Sequence, residues 1–189
     1  FSQRKVIEGL FSCFSLDSEY LRQRVSSFLQ MLLCRNWKRA KQITLGRIDA
    51  TEDPLQLELL VSLLKSDNYL RRSDLQGSMS KLVLEPRSSF QWVKHCAVAA
   101  KVLGVPLTEL KAQTTGDEED ICEQVLSFVL PPATVVSKQN LSKGLQNSSR
   151  LVALQTCDLL TIILSQCHTA FNLVDSTLLH KASGILISR

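Results

Sequence analysis

The chain has 189 residues, of which 44% are hydrophobic and 21% are charged, and its formal net charge is +4. This composition excludes a disordered tail and is typical of a globular domain. Only 7 glycines and 5 prolines occur, too few for a turn-rich β-sandwich or barrel of this length. The mild positive charge permits contact with nucleic acid without requiring it.

Apolar residues recur at helical spacing, and no stretch alternates with the period of a strand. The first predicted helix covers residues 3 to about 15, and the second runs from Tyr20 to Cys34. A third covers Leu55 to Lys65, after the acids and the proline that favour a helix start. We expect a short helix over 75–83 and a longer one from Phe90 to Leu103.

The second half of the chain begins with its most loop-like stretch, residues 113–120 (QTTGDEED), a candidate mobile loop. A helix from Glu119 to Leu130 is predicted next, and Pro131-Pro132 ends it. A helical hairpin follows over residues 131–167, and a last helix covers Asp175 to Ile187.

The hairpin at 131–167 consists of a short amphipathic segment, a polar turn and a long apolar helix that begins at Leu151. We predict that Leu151, Thr156, Cys157 and Leu159 are core residues, and that the small side chains of Thr156 and Cys157 let a neighbouring helix approach closely. Residues 16–33 repeat this pattern when Leu21 is aligned with Leu151.

Such a hairpin cannot bury its own apolar side and needs a neighbour to stack on. The sequence therefore predicts an all-α protein, an α-solenoid of stacked armadillo/HEAT-like helical hairpins. We expect residues 1–189 to form a single helical-repeat domain. Since the chain starts at Phe1 rather than Met, we interpret it as a fragment of a longer chain.

Six cysteines are present and none forms a Cys-x-x-Cys pair. Most lie among apolar residues of predicted helices, so we expect reduced, buried thiols in the cytosol or nucleus. No apolar run reaches the ~20 residues that a membrane helix needs, and we expect no membrane contact. The six residues are Cys13, Cys34, Cys96, Cys122, Cys157 and Cys167.

No catalytic signature is present, and we predict neither enzymatic activity nor a cofactor, metal or small-molecule substrate. The His95–Cys96 neighbours lack the orienting group that a cysteine nucleophile needs. A metal site formed by Cys167, His168 and His180 is a remote alternative, because these residues lack the spacing of a structural zinc site.

A basic stretch with an aromatic residue lies between the second and third predicted helices. Arginine and lysine neutralise phosphates, and an aromatic ring can stack on an unpaired base. The alternatives are a solvated helix end with the tryptophan packed in the core, or a contact with an acidic protein. The candidate RNA-binding residues are Arg35, Trp37, Lys38, Arg39, Lys41 and Arg47, with Arg71 and Arg72 as a second group.

Three stretches together carry a family resemblance: PLQLELLVSLLKSDNYLRRSDL at 54–75, LEPRSSFQWVKHCAVAAKVL at 84–103 and LPPATVVSKQNLSKGLQNSSRLVALQTCDLLTIIL at 130–164. Their order and spacing resemble the N-terminal helical region of the nucleolar pre-ribosomal-associated protein 1 family. The likeness covers about two thirds of the chain and does not include residues 1–50.

The resemblance implies a non-enzymatic armadillo/HEAT-like scaffold in ribosome biogenesis and rRNA processing. It implies nucleolar localisation, in early pre-60S particles, with contacts to pre-ribosomal RNA and to other large-subunit assembly factors, including an RNA helicase. It assigns no RNA-binding residue, so the basic stretch is a hypothesis from the residues alone. The alternative is a helical-repeat scaffold that binds only proteins in another nuclear or cytosolic pathway.

Overall fold

A computed structural model of the protein describes residues 3–34, 41, 44–45, 47–67, 70, 77, 79–107, 129 and 136–173. The regular elements within these ranges are all helices, which confirms the all-α class. The chain divides into two compact units, Phe1–Ser78 and Met79–Arg189. The armadillo/HEAT solenoid and the single helical-repeat domain stay predictions.

The first unit contains helices α1 (Gln3–Ser12), α2 (Glu19–Cys34) and α3 (Pro54–Ser66), with a 3-10 turn at Cys13–Ser15. The turn contacts both α1 and α2, and α2 packs against α3. Asp53 is the N-cap of α3, where its side chain accepts a hydrogen bond from the Leu55 amide at 2.9 Å. Local signals therefore place these helices close to their predicted bounds.

Leucines of α2 and α3 form most of the core of the first unit. The apolar pattern of α3 predicts a core of Leu57, Leu60, Val61 and Leu64. The three leucines are buried, as are Leu59 and Leu63, whereas Val61 is only half-buried. α3 is therefore buried over a wider arc than one amphipathic face.

The second unit contains a 3-10 turn at Met79–Lys81 and helices α4 (Phe90–Leu103), α5 (Lys138–Leu145) and α6 (Arg150–Leu173). α6 packs against both α4 and α5. The N-caps of α4 and α5 are serines, whose side chains accept hydrogen bonds from backbone amides. The bounds of α4 match the predicted helix.

Several predicted elements lie outside the described residues. They are the loop at 113–120, the helix Asp175–Ile187 and almost all of Glu119–Leu130, of which the structure describes a buried Val129. Of the short helix predicted over 75–83, only residues 75, 76 and 78 lie outside the described residues. Its described end is a 3-10 turn at Met79–Lys81, and the helix predicted through Leu82 and Val83 is wrong because these two residues follow the turn without helical structure.

Helix α6 turns a different face to the core than the sequence pattern predicted. Thr156 and Leu159 are buried as expected, but Leu151 is 52% exposed and Cys157 is also exposed. The core side consists instead of Val152, Thr156, Leu159, Ile163, Gln166 and Ala170.

α5 contacts the buried side of α6 at Thr156. A Cβ added to Gly144 would lie 2.3 Å from the Thr156 Oγ1 atom and 2.8 Å from its Cγ2 atom. The two helices therefore touch almost backbone to side chain at this point. The predicted close helix approach is confirmed at Thr156, and at Cys157 it is wrong because that side chain faces outward.

Helices α2 and α6 show matching burial when Leu21 is aligned with Leu151. Corresponding positions fall in the same burial class along most of the aligned stretch. This agreement supports the similarity between residues 16–33 and the hairpin at 131–167 that the sequence suggested. The stacking of hairpins as repeats stays a prediction. Exposed pairs are Leu21/Leu151 and Ser27/Cys157, and buried pairs are Ser26/Thr156, Leu29/Leu159 and Leu33/Ile163.

Among the described residues one helix, over Arg150–Ala170, has the length and apolar composition that could cross a membrane, with a mean hydropathy of 1.3. Only 28% of that window is buried. Length and composition alone are weak evidence, since the core helix of a soluble protein can pass the same test. The absence of membrane contact stays a prediction.

Candidate interaction surfaces

The structure describes two of the eight candidate RNA-binding residues, Lys41 and Arg47. The other six lie outside the described residues, so their candidacy stays a prediction from the sequence. They are Arg35, Trp37, Lys38, Arg39, Arg71 and Arg72.

Lys41 is buried, with 4% of its surface exposed. Its Nζ atom lies 3.6 Å from Oδ2 of Asp67, which compensates the charge that burial would otherwise penalise. The Lys41 ammonium therefore already has an anionic partner inside the first unit, and its environment differs from that of an open phosphate site.

Arg47 forms an ion pair with Glu8 of α1. The same carboxylate accepts a hydrogen bond from Nε of Arg4 at 3.0 Å. That bond, together with the charge of Arg47, lowers the pKa of Glu8 below its usual value. Both described cations of the basic stretch are thus paired with carboxylates of their own unit.

Helix α2 presents an apolar row to solvent. Leu21, Phe28 and Met31 are 46%, 43% and 53% exposed, and the exposed Arg24 lies between them along the helix. We call these four residues the α2 outer face. Leu29 and Leu33 lie on the buried side of the same helix.

Arg24 is held by a neighbouring tyrosine. Its Nε atom donates a hydrogen bond to the Tyr20 hydroxyl at 3.1 Å, and its Cζ atom lies 5.3 Å from the centre of the Tyr20 ring. No carboxylate pairs with Arg24 among the residues that the structure describes. The terminal nitrogens of its guanidinium group remain available to an anion.

Helix α6 presents a comparable row, which we call the α6 outer face: Leu151, Leu154, Asp158 and Thr161. All four residues are exposed, and Leu151 and Leu154 are 52% and 59% exposed. Within the described ranges Asp158 has no ion pair. This row therefore combines two leucines with an uncompensated carboxylate.

An open cleft of about 860 Å³ lies in the first unit, between α1, α2 and the residues that lead into α3. Its charged lining is mostly acidic, and two arginines neutralise part of that charge. Arg22 pairs with Asp53 at 3.0 Å and with Glu19 at 3.1 Å. The acids in the lining are Glu8, Asp17, Asp49, Glu52 and Asp53.

The His95–Cys96 pair is part of the packed interior of the second unit. Nδ1 of His95 accepts a hydrogen bond from the Val83 amide at 2.9 Å, so this nitrogen carries no proton. Burial raises the pKa of the Cys96 thiol to about 12, which keeps it protonated at neutral pH. In the part of the chain that the structure describes, no group of three or more potential ligands could hold a metal ion.

A cavity of about 10 Å³ separates α4 from α5 and α6, with Trp92, Asn140 and Thr156 in its wall. This volume is at most enough for one water molecule and is far below that of a ligand pocket. The buried indole N–H of Trp92 has no hydrogen-bond partner in the described structure.

The sequence carried one signal for the outer faces that a single-face interpretation missed. α2 has apolar side chains at more positions than one helix side can bury, among them Leu21, Val25, Phe28, Leu29 and Leu32. Because Leu29 lies on the buried side of α2, some of the other apolar side chains must lie on its exposed side or its flanks. A surplus of apolar residues on a helix is therefore a sign of a second apolar face.

No family model, no curated protein and no solved structure matches this chain. The resemblance of 54–75, 84–103 and 130–164 to the nucleolar family therefore stays a prediction. The candidate surfaces are defined by their own geometry and chemistry alone.

Proposed function

We propose that this chain is a non-enzymatic helical scaffold that binds macromolecular partners through the outer faces of its helices. The family resemblance supports a role in ribosome biogenesis, in early pre-60S particles of the nucleolus. Its partners there would be pre-ribosomal RNA and other assembly factors, including an RNA helicase. In this proposal a stack of helical hairpins supplies a rigid surface with distributed contacts.

The α2 outer face is the observation that carries this proposal. Exposing a row of apolar side chains to water is unfavourable in free energy, and contiguous apolar patches commonly mark interaction sites. Leu21, Phe28 and Met31 form such a row on one helix, and Arg24 adds a cation held in place by Tyr20. A macromolecular partner would remove this row from solvent.

RNA contact is proposed for the basic stretch that directly follows α2. Because Lys41 and Arg47 already pair with carboxylates, we assign the contact mainly to Arg35, Lys38 and Arg39. Trp37 would stack on an unpaired base, and Arg71-Arg72 form a second candidate group.

The test replaces Arg35, Lys38 and Arg39 with alanine and measures binding to a structured fragment of large-subunit pre-rRNA over a salt series. Each lost phosphate contact should reduce the salt slope by about 0.7–0.9. We expect the slope to fall by roughly two and the affinity at moderate salt to fall at least about tenfold.

The matched control replaces Lys101, Lys138 and Lys143, which are all exposed, with alanine and removes the same total charge. Affinity that falls equally in both variants would mean that only net charge matters. Binding unaffected by the first variant would contradict the assignment to Arg35, Lys38 and Arg39. Lys41→Ala is left out, because it would also break the buried pair with Asp67.

The second candidate function is a scaffold that binds proteins only, in another nuclear or cytosolic pathway. The pairing of Lys41 with Asp67 and of Arg47 with Glu8 favours it, since these cations are already neutralised. It predicts no binding to the pre-rRNA fragment even at low salt. Co-purification with tagged full-length protein would then recover proteins without RNA.

A further inference from the structure

The α2 and α6 outer faces share one spacing. Their residues follow one another at intervals of three, four and three, at 21, 24, 28, 31 and at 151, 154, 158, 161. This is the spacing of the seam in helix pairs that pack side by side at a shallow angle. Each face is therefore shaped for another helix with the same spacing.

The two faces are complementary when the helices run antiparallel. Arg24 then lies opposite Asp158, and neither of these two side chains has an ion pair within the described ranges. On one side of this pair Phe28 meets Leu154 and Met31 meets Leu151. On the other side Leu21 meets the methyl-bearing side chain of Thr161.

The other pairings leave charges against apolar side chains. In the parallel arrangement Arg24 faces Leu154 and Phe28 faces Asp158. A pair of α2 faces brings two arginines together without a carboxylate, and a pair of α6 faces brings two aspartates together without a cation. Because an uncompensated charge in a contact is costly to desolvate, the antiparallel α2–α6 pairing is favoured.

We propose that the α2 outer face of one copy of this chain binds the α6 outer face of a second copy. The contact is heterologous, since each copy contributes a different surface, so association either closes into a ring or continues to larger species. Its small size places it among low-affinity interfaces. This proposal does not depend on a role in ribosome assembly or on RNA binding.

The test measures the mass of the full chain by sedimentation as its concentration rises to roughly 0.5 mM, a range suited to small interfaces. Wild-type protein should associate with increasing concentration. Arg24→Asp and Asp158→Arg each place like charges opposite one another. Each variant alone should therefore associate at least about tenfold more weakly.

The deciding arm mixes the two variants in equal amounts. In the mixture, Asp at position 24 faces Arg at position 158, and the unchanged Arg24 and Asp158 also face one another. Association of the mixture should therefore return towards that of the wild type, although each variant alone associates weakly. The double variant Arg24→Asp/Asp158→Arg should also regain it within one chain type.

Three results would overturn the proposal. Wild-type protein that stays monomeric over the whole range excludes a second copy as the occupant and leaves the faces to another protein. Single variants that associate like the wild type exclude the Arg24–Asp158 pair. A mixture that stays monomeric while the wild type associates shows that the variants act by some other route, and circular dichroism checks that both variants are folded.

Discussion

Gly144 of α5 and Thr156 of α6 form a close contact between the two helices. The Thr156 hydroxyl donates a hydrogen bond to the Val152 carbonyl at 2.7 Å, so the side chain cannot rotate away without losing that bond. The absence of a Cβ at position 144 is what allows α5 to lie at its present distance from α6.

Gly144→Ala should therefore destabilise the protein, although alanine is the better helix former. The added methyl carbon would lie 2.3 to 3.0 Å from three side-chain atoms of Thr156. Overfilled contacts of this kind cost about 1–3 kcal/mol. The free energy of unfolding from urea denaturation measures the effect. Thr156→Trp should overfill the same contact and cost at least as much.

Gly9→Ala is the matched control. Gly9 lies inside α1, and nothing is within 4 Å of the position where its Cβ would be. The substitution should stabilise the protein by about 0.5–1 kcal/mol. In the Gly144→Ala background, Thr156→Ala should cost less than it does alone. Equal costs in both backgrounds would contradict the contact.

Cysteine labelling at pH 8 should separate Cys96 from Cys157. Burial disfavours the charged thiolate and raises the pKa of Cys96 to about 12, so only on the order of one thiol in 10⁴ is ionised at pH 8. Cys157 is exposed on α6. Iodoacetamide should modify Cys157 in the native protein and Cys96 only after unfolding, as peptide mass spectrometry would show.

Equal labelling rates at the two cysteines would contradict the assigned burial. The labelling also tests the sequence prediction of buried thiols, which the structure confirms for Cys96 and overturns for Cys157. Cys13 and Cys167 are half-buried. Burial raises the pKa of Cys167 as well, so we expect it to react more slowly than Cys157.

At the scale of the element, the side chain of Asp53 stabilises the start of α3 in two ways. Asp53 caps the helix through the Leu55 amide and also accepts a hydrogen bond from the Gln56 side chain. Its Oδ1 atom lies 3.0 Å from the Arg22 guanidinium group of α2. The cap therefore ties α3 to the helix on which it packs.

Asp53→Ala should cost about 2–3 kcal/mol of unfolding free energy, because it removes a cap and leaves Arg22 without its partly buried partner. Asp53→Asn should cost less, about 1 kcal/mol, since asparagine is an equally good cap but carries no charge. Thermal and urea unfolding measure both effects.

Asp17→Ala is the control for the loss of a negative charge in the same unit, since Asp17 is exposed. It should change stability by no more than about 0.5 kcal/mol. If Asp53→Asn proves as costly as Asp53→Ala, the ion pair dominates over the cap. A cost below that of Asp17→Ala for both variants would contradict the structural role of Asp53.

The existence and bounds of the helices could be predicted from local residues. Asp53-Pro54 starts α3, and Ser89 and Gly104 flank α4, so the signals lie within a few residues of the ends they set. The rotation of α6 could not be predicted this way. It depends on the helices that pack against α6, and periodicity within α6 carries no information about those neighbours.

At the scale of the whole molecule, the sequence shows which charged residues are present, but it does not show which of them form ion pairs. The basic stretch was visible as a run of cations, but the sequence could not show that Lys41 is buried against Asp67 or that Arg47 meets Glu8. Ion pairs between distant positions depend on the tertiary fold. Lys41 and Arg47 therefore offer less uncompensated charge to RNA than the run of cations in the sequence suggests.

Two helices with a similar pattern of apolar residues can pack against different neighbours in the two compact units. The similarity of α2 and α6 is visible in the sequence and in burial, but their neighbours differ. α2 packs against α3, which follows it, whereas α6 packs against α4 and α5, which precede it. A shared helix pattern thus predicts a shared inner and outer face and does not predict which element covers the inner one.

The contact between Gly144 and Thr156 has a consequence for how this sequence can evolve. Gly144→Ala is expected to be destabilising while Thr156 is present, and less so after position 156 has become smaller. The order in which the two positions change therefore affects the stability of the intermediate protein. The α6 outer face points away from this contact, so its side chains can change without disturbing the packing of α5 on α6.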